Sequence, residues 1–292
     1  MNSKPQIYIG EFESKKDKRQ FGVRFATPKD AKSISEIMKD AYGFEYLYPK
    51  VYSEEQLSQS LKEDKQSSRL EKKELWGIAE SLDENHELAA ICQTERKNEF
   101  SIHAGKTVVH NRFRGMGMAR GLGVSNLLNV LKMPENQAVV RLDSDVRSSQ
   151  LNSQKMAEIA GSIPYGFIPN YNNYADKRSY DPTNGVPFTE GRKESVVMYM
   201  APLGDFWKIR SKTVALFDDE NIKSFYNYIQ SQNRKMEKDI VAIYQTIPIR
   251  TRKKFNIDED LYKGTILIIG YLNQDEISRI LKKYEKWNVI EW

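Results

Sequence analysis

One cysteine, Cys92, stands in a chain of 292 residues, so no internal disulfide can form and a reducing compartment is the fitting environment. Long apolar runs are also missing. The longest, residues 265–272, has the length of a strand, whereas a membrane-spanning helix needs roughly 20 apolar residues. Residues 1–20 carry no apolar stretch of the kind found in a secretory signal, so the expected location is the cytoplasm, without a membrane partner. No fixed-period repeat and no low-complexity tract occurs, which removes solenoids and fibrous chains from consideration. Charge of one sign is scarce as well: 45 basic against 40 acidic residues leave a net +5, a mixed, solvated surface rather than a basic footprint for nucleic acid.

What is present argues for a folded core. Hydrophobic residues make up 39% of the chain, with 16 Tyr and 12 Phe, a composition unlike that of disordered segments. The length calls for one large or two smaller domains. The reading adopted is an N-terminal arm (1–21), a first domain (22–205) and a smaller second one (206–292), with the break at the Pro- and Gly-containing segment 202–212.

Local patterns supply the elements. Residues 23–26 alternate like a strand, and Thr27-Pro28-Lys29-Asp30 reads as a helix start. Ala31, Ile34, Ile37, Met38 and Ala41 then repeat at helical spacing. An aromatic loop follows at 42–52, then a polar helix at 53–70. Strands are expected at 75–81 and 88–96, joined as a hairpin, and at 100–109, 138–142, 165–168 and 195–200; a helix is expected at 153–160, ending at Gly161. Residues 169–194, rich in Asn, Asp, Gly, Pro and Tyr, read as a long binding loop or lid.

The stretch around which these elements are arranged is Val108 to Leu122. An apolar strand ends at Val109, Gly115 and Gly117 follow Arg114, and a helix-compatible segment starts at Met118. A strand, a tight turn and a helix N-terminus leave successive backbone N–H groups unpaired at the positive end of the helix dipole, a seat for phosphate or pyrophosphate. Glycine permits close approach of a ligand to that backbone. A dinucleotide-binding reading fails because a meander of strands, not a parallel βαβ unit, precedes the turn. A P-loop reading fails because no Gly-Lys-Ser/Thr follows.

The segment Val109-His110-Asn111-Arg112-Phe113-Arg114-Gly115-Met116-Gly117-Met118-Ala119 resembles the acyl-CoA signature of the GCN5-related N-acetyltransferases (GNAT), in which Arg or Gln is followed after two residues by Gly and after one more by Gly or Ala. Arg114, Gly117 and Ala119 match in register. Residues 23–30 with the helix after them, and residues 153–158 leading to Gly166-Phe167, are similar to other segments of that family, so the resemblance spans roughly residues 22–203. It implies an α+β fold with a GNAT-like mixed sheet flanked by helices. It also implies that acetyl-CoA is the co-substrate and that no metal is needed, the acceptor being a primary amine on a small molecule or peptide. Val108 and Val109 would pair with the pantetheine arm, Arg114, Gly115, Met116, Gly117, Met118 and Ala119 would hold the pyrophosphate, and Asn152 would contact the arm.

Direct attack of an amine on a thioester calls for a route that removes a proton and a donor for the departing thiolate. Glu99 and His103 are the nearest candidates for the base, ahead of Glu95; a charged hairpin is the alternative for that stretch. His110 at the edge of the turn reads as a cap or a contact to CoA. The tyrosine that the family often uses as acid is replaced here by Ala157, which leaves Tyr165, Tyr171 and Tyr174 as substitutes. Cys92 reads as a buried structural residue.

The last 87 residues read as β-α-β-β-α-β, a ferredoxin-like split βαβ sandwich or a degenerate GNAT-like half, suited to dimerisation, ligand sensing or a further partner. Arg250 to Lys254 read as a solvated hairpin tip rather than a nucleic-acid contact. An acyl-CoA-sensing binding protein and an RNA- or protein-modifying enzyme stand as alternatives to a small-molecule acetyltransferase, and a homodimer stays open.

Overall fold

The computed structural model describes residues 7–63, 74–83, 85–209, 213–218, 220–233, 241–245, 256–269 and 274–291. Contacts divide the chain into two compact units, Met1–Ser144 and Asp145–Trp292.

The first unit holds the strands β1 (Gly10–Glu13), β2 (Gln20–Phe25), β3 (Glu74–Ser81), β4 (Leu88–Arg96), β5 (Ser101–Val109) and the start of β6 (Arg141–Arg147), hydrogen-bonded in that order. Neighbours from β1 to β5 are antiparallel, whereas β5 and β6 are parallel, so the sheet is mixed. Its helices are α1 (Ala31–Tyr42), α2 (Glu54–Glu63) and α3 (Met118–Leu131). The arm expected at 1–21 supplies the edge strand β1.

Helix α1 forms where the apolar spacing places it. Ala31, Ile34, Ile37 and Met38 are buried, and the short turn Pro28–Asp30 that leads into the helix is tied by Thr27, whose N–H and Oγ1 donate to Asp30 Oδ2 at 2.7 and 2.8 Å. Burial of Ile34, Ile37 and Met38 contributes about 1.5–3 kcal/mol each. Helix α1 contacts β4 and β5 on one face of the sheet, and α3 packs on the other. Under α3 lies a core of Phe21, Val23, Ala79, Ala90, Cys92, Phe113, Met118 and Leu122. Gly77 is required there, since a Cβ would stand 2.6 Å from Asn126 Oδ1. Burial pushes the Cys92 thiol up to about 12. A thiol reagent at neutral pH is therefore expected to label Cys92 only after denaturation; stoichiometric labelling of the folded protein would show that the core opens.

The second unit holds the end of β6, α4 (Leu151–Ile159), the hairpin β7 (Ile163–Tyr174) and β8 (Arg192–Pro202), the short α5 (Phe206–Ile209), β9 (Thr213–Phe217), α6 (Glu220–Asn233), β10 (Val241–Gln245), β11 (Asn256–Asp260), β12 (Thr265–Ile269), α7 (Gln274–Lys283) and β13 (Asn288–Glu291). Beyond β8, β9 and β10 form a parallel pair. A separate three-stranded sheet has the order β11-β12-β13, with β11 antiparallel and β13 parallel to β12.

Several expectations require correction. The strand expected at 138–142 is β6, at 141–147. The loop expected at 169–194 is strand at both ends, with Asn172↔Glu194, Asn173↔Lys193 and Tyr174↔Arg192 paired. Pro169 cannot donate to a ladder, and the chain accommodates it in a bulge between Ile168 and Asn172, where Asn170 takes φ +52°. What remains as connection is 175–191. The C-terminal order also differs from a split βαβ sandwich, because β11 adds a strand and the strands divide between two sheets.

The division between units falls in β6, not near residue 205, because the C-terminal strands pack against the β7–β8 hairpin and its connection. Phe188 N–H donates to the Leu261 carbonyl at 2.9 Å, and Thr265 Oγ1 donates to the Tyr171 carbonyl at 3.4 Å. The Lys177 ammonium, buried over the Phe188 ring, donates to the Asn173 carbonyl at 2.5 Å. Arg250 to Lys254 lie outside the described residues.

Candidate functional site

Strand β5 delivers the chain to the glycine turn. Val108 and Val109 pair with Ile91 and Ala90 of β4 on one side. On the other side, the parallel pairing with β6 covers Ser101↔Arg141, Ile102↔Leu142 and His103↔Asp143 and extends no further among the described residues. From Ala104 to Val109 that edge of β5 is therefore open to pairing by an extended, amide-rich ligand.

After Val109 the chain forms one short turn, residues 111–113, capped by His110, whose Nδ1 accepts from Arg112 N–H at 3.3 Å. His110 thus acts as the cap that its position implied. Phe113 anchors the turn in the core, edge-on to Phe21 at 5.6 Å between ring centroids, and Asn111 Nδ2 donates to Asp40 of α1 at 2.8 Å. Gly115 and Gly117 adopt φ +77° and +89°, and a Cβ at either would meet open space. Backbone conformation, not crowding, is what calls for glycine there.

Helix α3 starts directly after Gly117. Among the described residues, the N–H groups of Gly115, Gly117, Met118, Ala119 and Arg120 have no acceptor; the first turn closes only with Gly121 N–H to the Gly117 carbonyl at 3.0 Å. Five donors at a helix N-terminus, beside open space, suit a pyrophosphate in charge and geometry. Arg114 lies back along the strand end, its Nε donating to the Val109 carbonyl at 3.4 Å. The rest of its guanidinium is exposed beside the turn and can meet a phosphate oxygen.

The residues expected to move protons fall on different elements. Glu99 sits exposed at the tip of the β4–β5 hairpin, where Lys97 and Asn98 N–H both donate to the Ser101 carbonyl, so it is part of a charged turn. His103 lies within β5, directly across from Glu95 of β4 and Asp143 of β6. Burial raises the Asp143 carboxyl above its ordinary value, against the opposing pull of Arg141. Asn152, Tyr165 and Tyr171 belong to the second unit. Asn152 is exposed in the first turn of α4, and Tyr165 sits at a bulge of β7 between Pro164 and Gly166. Tyr171, expected in a loop, lies in β7 with the buried Lys263 ammonium 3.8 Å from its ring centroid.

Sequence reasoning missed a group on the face of the sheet that α1 covers. Glu74, Glu95 and His103 are opposite one another on β3, β4 and β5; one step along, Trp76 and Gln93 are opposite one another. Next to them β5 bulges, with Gln93 facing Gly105 and Ile91 facing Val108, and Lys106 in the bulge takes φ +48°. Its ammonium lies 5.1 Å from the Trp76 ring centroid and donates to Gln93 Oε1. Burial lowers the Lys106 ammonium to about 8. The aromatic loop reaches this place through Lys50, whose Nζ lies 3.4 Å from Glu74 Oε1. Within that loop, Tyr42, Tyr46 and Tyr48 meet in series at 4.9 and 6.5 Å between ring centroids, and Tyr52 packs edge-on to Phe44 at 5.2 Å. Gly105, interrupting an otherwise alternating strand, was the available signal for the bulge.

Among the described residues, no group of three or more His, Cys, Asp and Glu side chains is placed to hold a metal ion, and no helix is long and apolar enough to cross a membrane.

No protein-family model and no curated protein matches the sequence. Solved structures that the chain resembles are N-acetyltransferases. An acetyltransferase of the GNAT family from Streptococcus pneumoniae aligns at 16% identity over 63% of this chain and 99% of its own, with a TM-score of 0.45. Spermidine N-acetyltransferase SpeG from Vibrio cholerae aligns at 12% identity over 64% and 95%, with a TM-score of 0.49. The ribosomal-protein-S18-alanine N-acetyltransferase from Escherichia coli aligns at 17% identity over 63% and 94%, with a TM-score of 0.42.

Proposed function

We propose that this protein is an N-acetyltransferase that takes an acetyl group from acetyl-CoA and transfers it to a primary amine. The observation that carries this reading is the set of N–H groups of Gly115, Gly117, Met118, Ala119 and Arg120, without an acceptor among the described residues, following a strand whose β6-facing edge is open from Ala104. The turn would hold the pyrophosphate, with Arg114 adding charge, and the arm would pair with Val108 and Val109. Acetyl-CoA supplies an activated acyl group: the amine nitrogen bonds to the thioester carbon, the C–S bond breaks to release the CoA thiolate, and the proton that the amine gives up balances that thiolate as the free thiol. Of the expected bases, His103 is the better placed, within β5, whereas Glu99 is at an exposed hairpin tip.

The test is calorimetric titration of acetyl-CoA together with thiol release over a panel of amines. Binding with amine-dependent thiol release is expected. Absence of binding would overturn the proposal. Binding without turnover on any amine would favour the second reading, an acyl-CoA sensor, whose motivating feature is Ala157 where the family often has its acid.

A further inference from the structure

We infer that Trp76, Gln93 and Lys106 form a carboxylate-binding subsite, and that the acceptor amine is therefore one that carries a carboxylate, an amino acid. This rests on the acetyl-transfer reading and names the substrate class of that site.

Trp76 and Gln93 are 3% and 5% exposed, and among the described residues neither Trp76 Nε1 nor Gln93 Nε2 has a hydrogen-bond partner. A buried donor left unpaired is costly, and most buried polar groups find partners. The orientation of the Gln93 amide is not ambiguous. Lysine can only donate, so the atom that Lys106 meets is Oε1, which leaves the NH₂ group as the unpaired end.

The three donors are neighbours. Trp76 and Gln93 are direct cross-strand partners, and the Lys106 ammonium touches both side chains, lying over the indole and bonded to the amide. Lys106 is held there by a β-bulge and a left-handed backbone, a strained placement for a lysine and of the kind that persists at functional sites. It stands two residues before Val108, where the donor's arm would run. Indole N–H, amide N–H and ammonium together match a carboxylate, which offers acceptors alone.

The same place offers one open acceptor. Glu74 Oε1 faces Lys50, and Oε2 is buried without a partner among the described residues. A molecule bearing both an amino and a carboxylate group satisfies all four side chains. A polyamine, which has only donors, leaves Trp76 and Gln93 unpaired and sets cations against Lys106.

The full-length protein with acetyl-CoA tests this by thiol release from a panel of free amino acids, their carboxamides, the corresponding decarboxylated amines and spermidine. Amino acids are expected to exceed their carboxamides and amines in kcat/KM by about 10- to 100-fold, the size of a charge-assisted hydrogen-bond loss. Trp76→Phe, which keeps the ring and removes the N–H, and Lys106→Met should each raise KM for the amino acid about tenfold or more while leaving acetyl-CoA binding by calorimetry unchanged; Lys106→Arg should restore part of the loss. Equal use of acids and carboxamides, preference for spermidine, or an unchanged KM in both Trp76→Phe and Lys106→Met would overturn the inference. So would acetyl-CoA binding without turnover on any panel member. Failure of the wild-type protein to bind acetyl-CoA would instead overturn the proposed function itself.

Discussion

Replacing Gly117 with glutamate is expected to abolish acetyl-CoA binding measurable by calorimetry, a weakening of at least about 100-fold. Two effects combine. Gly117 sits at φ +89°, where an L side chain costs about 1–2 kcal/mol and would be relieved by moving the turn. The new carboxylate would also lie beside the open amides, where it competes for their N–H groups and repels a pyrophosphate. Space is not the obstacle, because a Cβ there meets nothing within 4 Å. Gly117→Ala therefore separates the terms: it should carry the backbone strain and lower the melting temperature, with a smaller loss of affinity than the glutamate. Wild-type affinity in a folded Gly117→Glu protein would remove the turn from the binding site.

Arg24→Met is expected to destabilise the protein by about 3–5 kcal/mol in denaturant unfolding, the size seen when one partner of a buried ion pair is removed. Arg24 is 9% exposed and serves two carboxylates. Its guanidinium donates to both oxygens of Asp30 at 2.8 and 2.9 Å and to Glu80 Oε2 at 2.8 and 3.2 Å, and Tyr8 hydroxyl donates to Glu80 Oε1 at 2.7 Å. Methionine keeps the stem but leaves two carboxylates facing each other without their cation. Adding Glu80→Gln to the variant should recover part of the loss, because one of the stranded charges is then gone.

Asp30 gives this network its pH dependence. Burial raises its carboxyl, but hydrogen bonds from Arg24 and Thr27 outweigh burial and hold it below the ordinary carboxylate value. A carboxylate depressed in the folded state stabilises above its unfolded value, and that stabilisation fades as pH falls through the folded one. The acid limb of the wild-type stability profile should therefore be steeper than that of Arg24→Met. Matching profiles would show that the network is not coupled to Asp30.

Much of the first unit was legible because its rules are local. Helix α1 follows from Ala31, Ile34, Ile37 and Met38 at helical spacing and from the Thr27–Asp30 cap, and the β3–β4 hairpin follows from two apolar runs around a polar turn. The glycine turn was legible because φ +77° and +89° are conformations that glycine takes readily. The open edge of β5 was only partly legible: the point where strands diverge is set by the pairing of His103 with Asp143, about 40 residues away, and no local pattern encodes it.

The errors have physical causes too. Segment 169–174 reads as loop because Pro and Asn favour turns, yet a bulge between Ile168 and Asn172 lets it pair with β8. The Pro- and Gly-containing segment after β8 suggested a domain break, but tertiary contacts such as Phe188 with Leu261 join the C-terminal strands to the β7–β8 hairpin. Lys106 escaped notice because a lysine in a strand is ordinarily solvated. Only a one-residue shift in register turns it toward Gln93 and the Trp76 ring.

The most direct measurement of the central claim is the backbone amide spectrum of the full-length protein, assigned through 115–120, as acetyl-CoA is added. The largest shifts are expected on Gly115, Gly117, Met118, Ala119 and Arg120, followed by Val108 and Val109, and Gly117→Glu should abolish them. Saturable binding with those amides unmoved and the shifts elsewhere would contradict that claim.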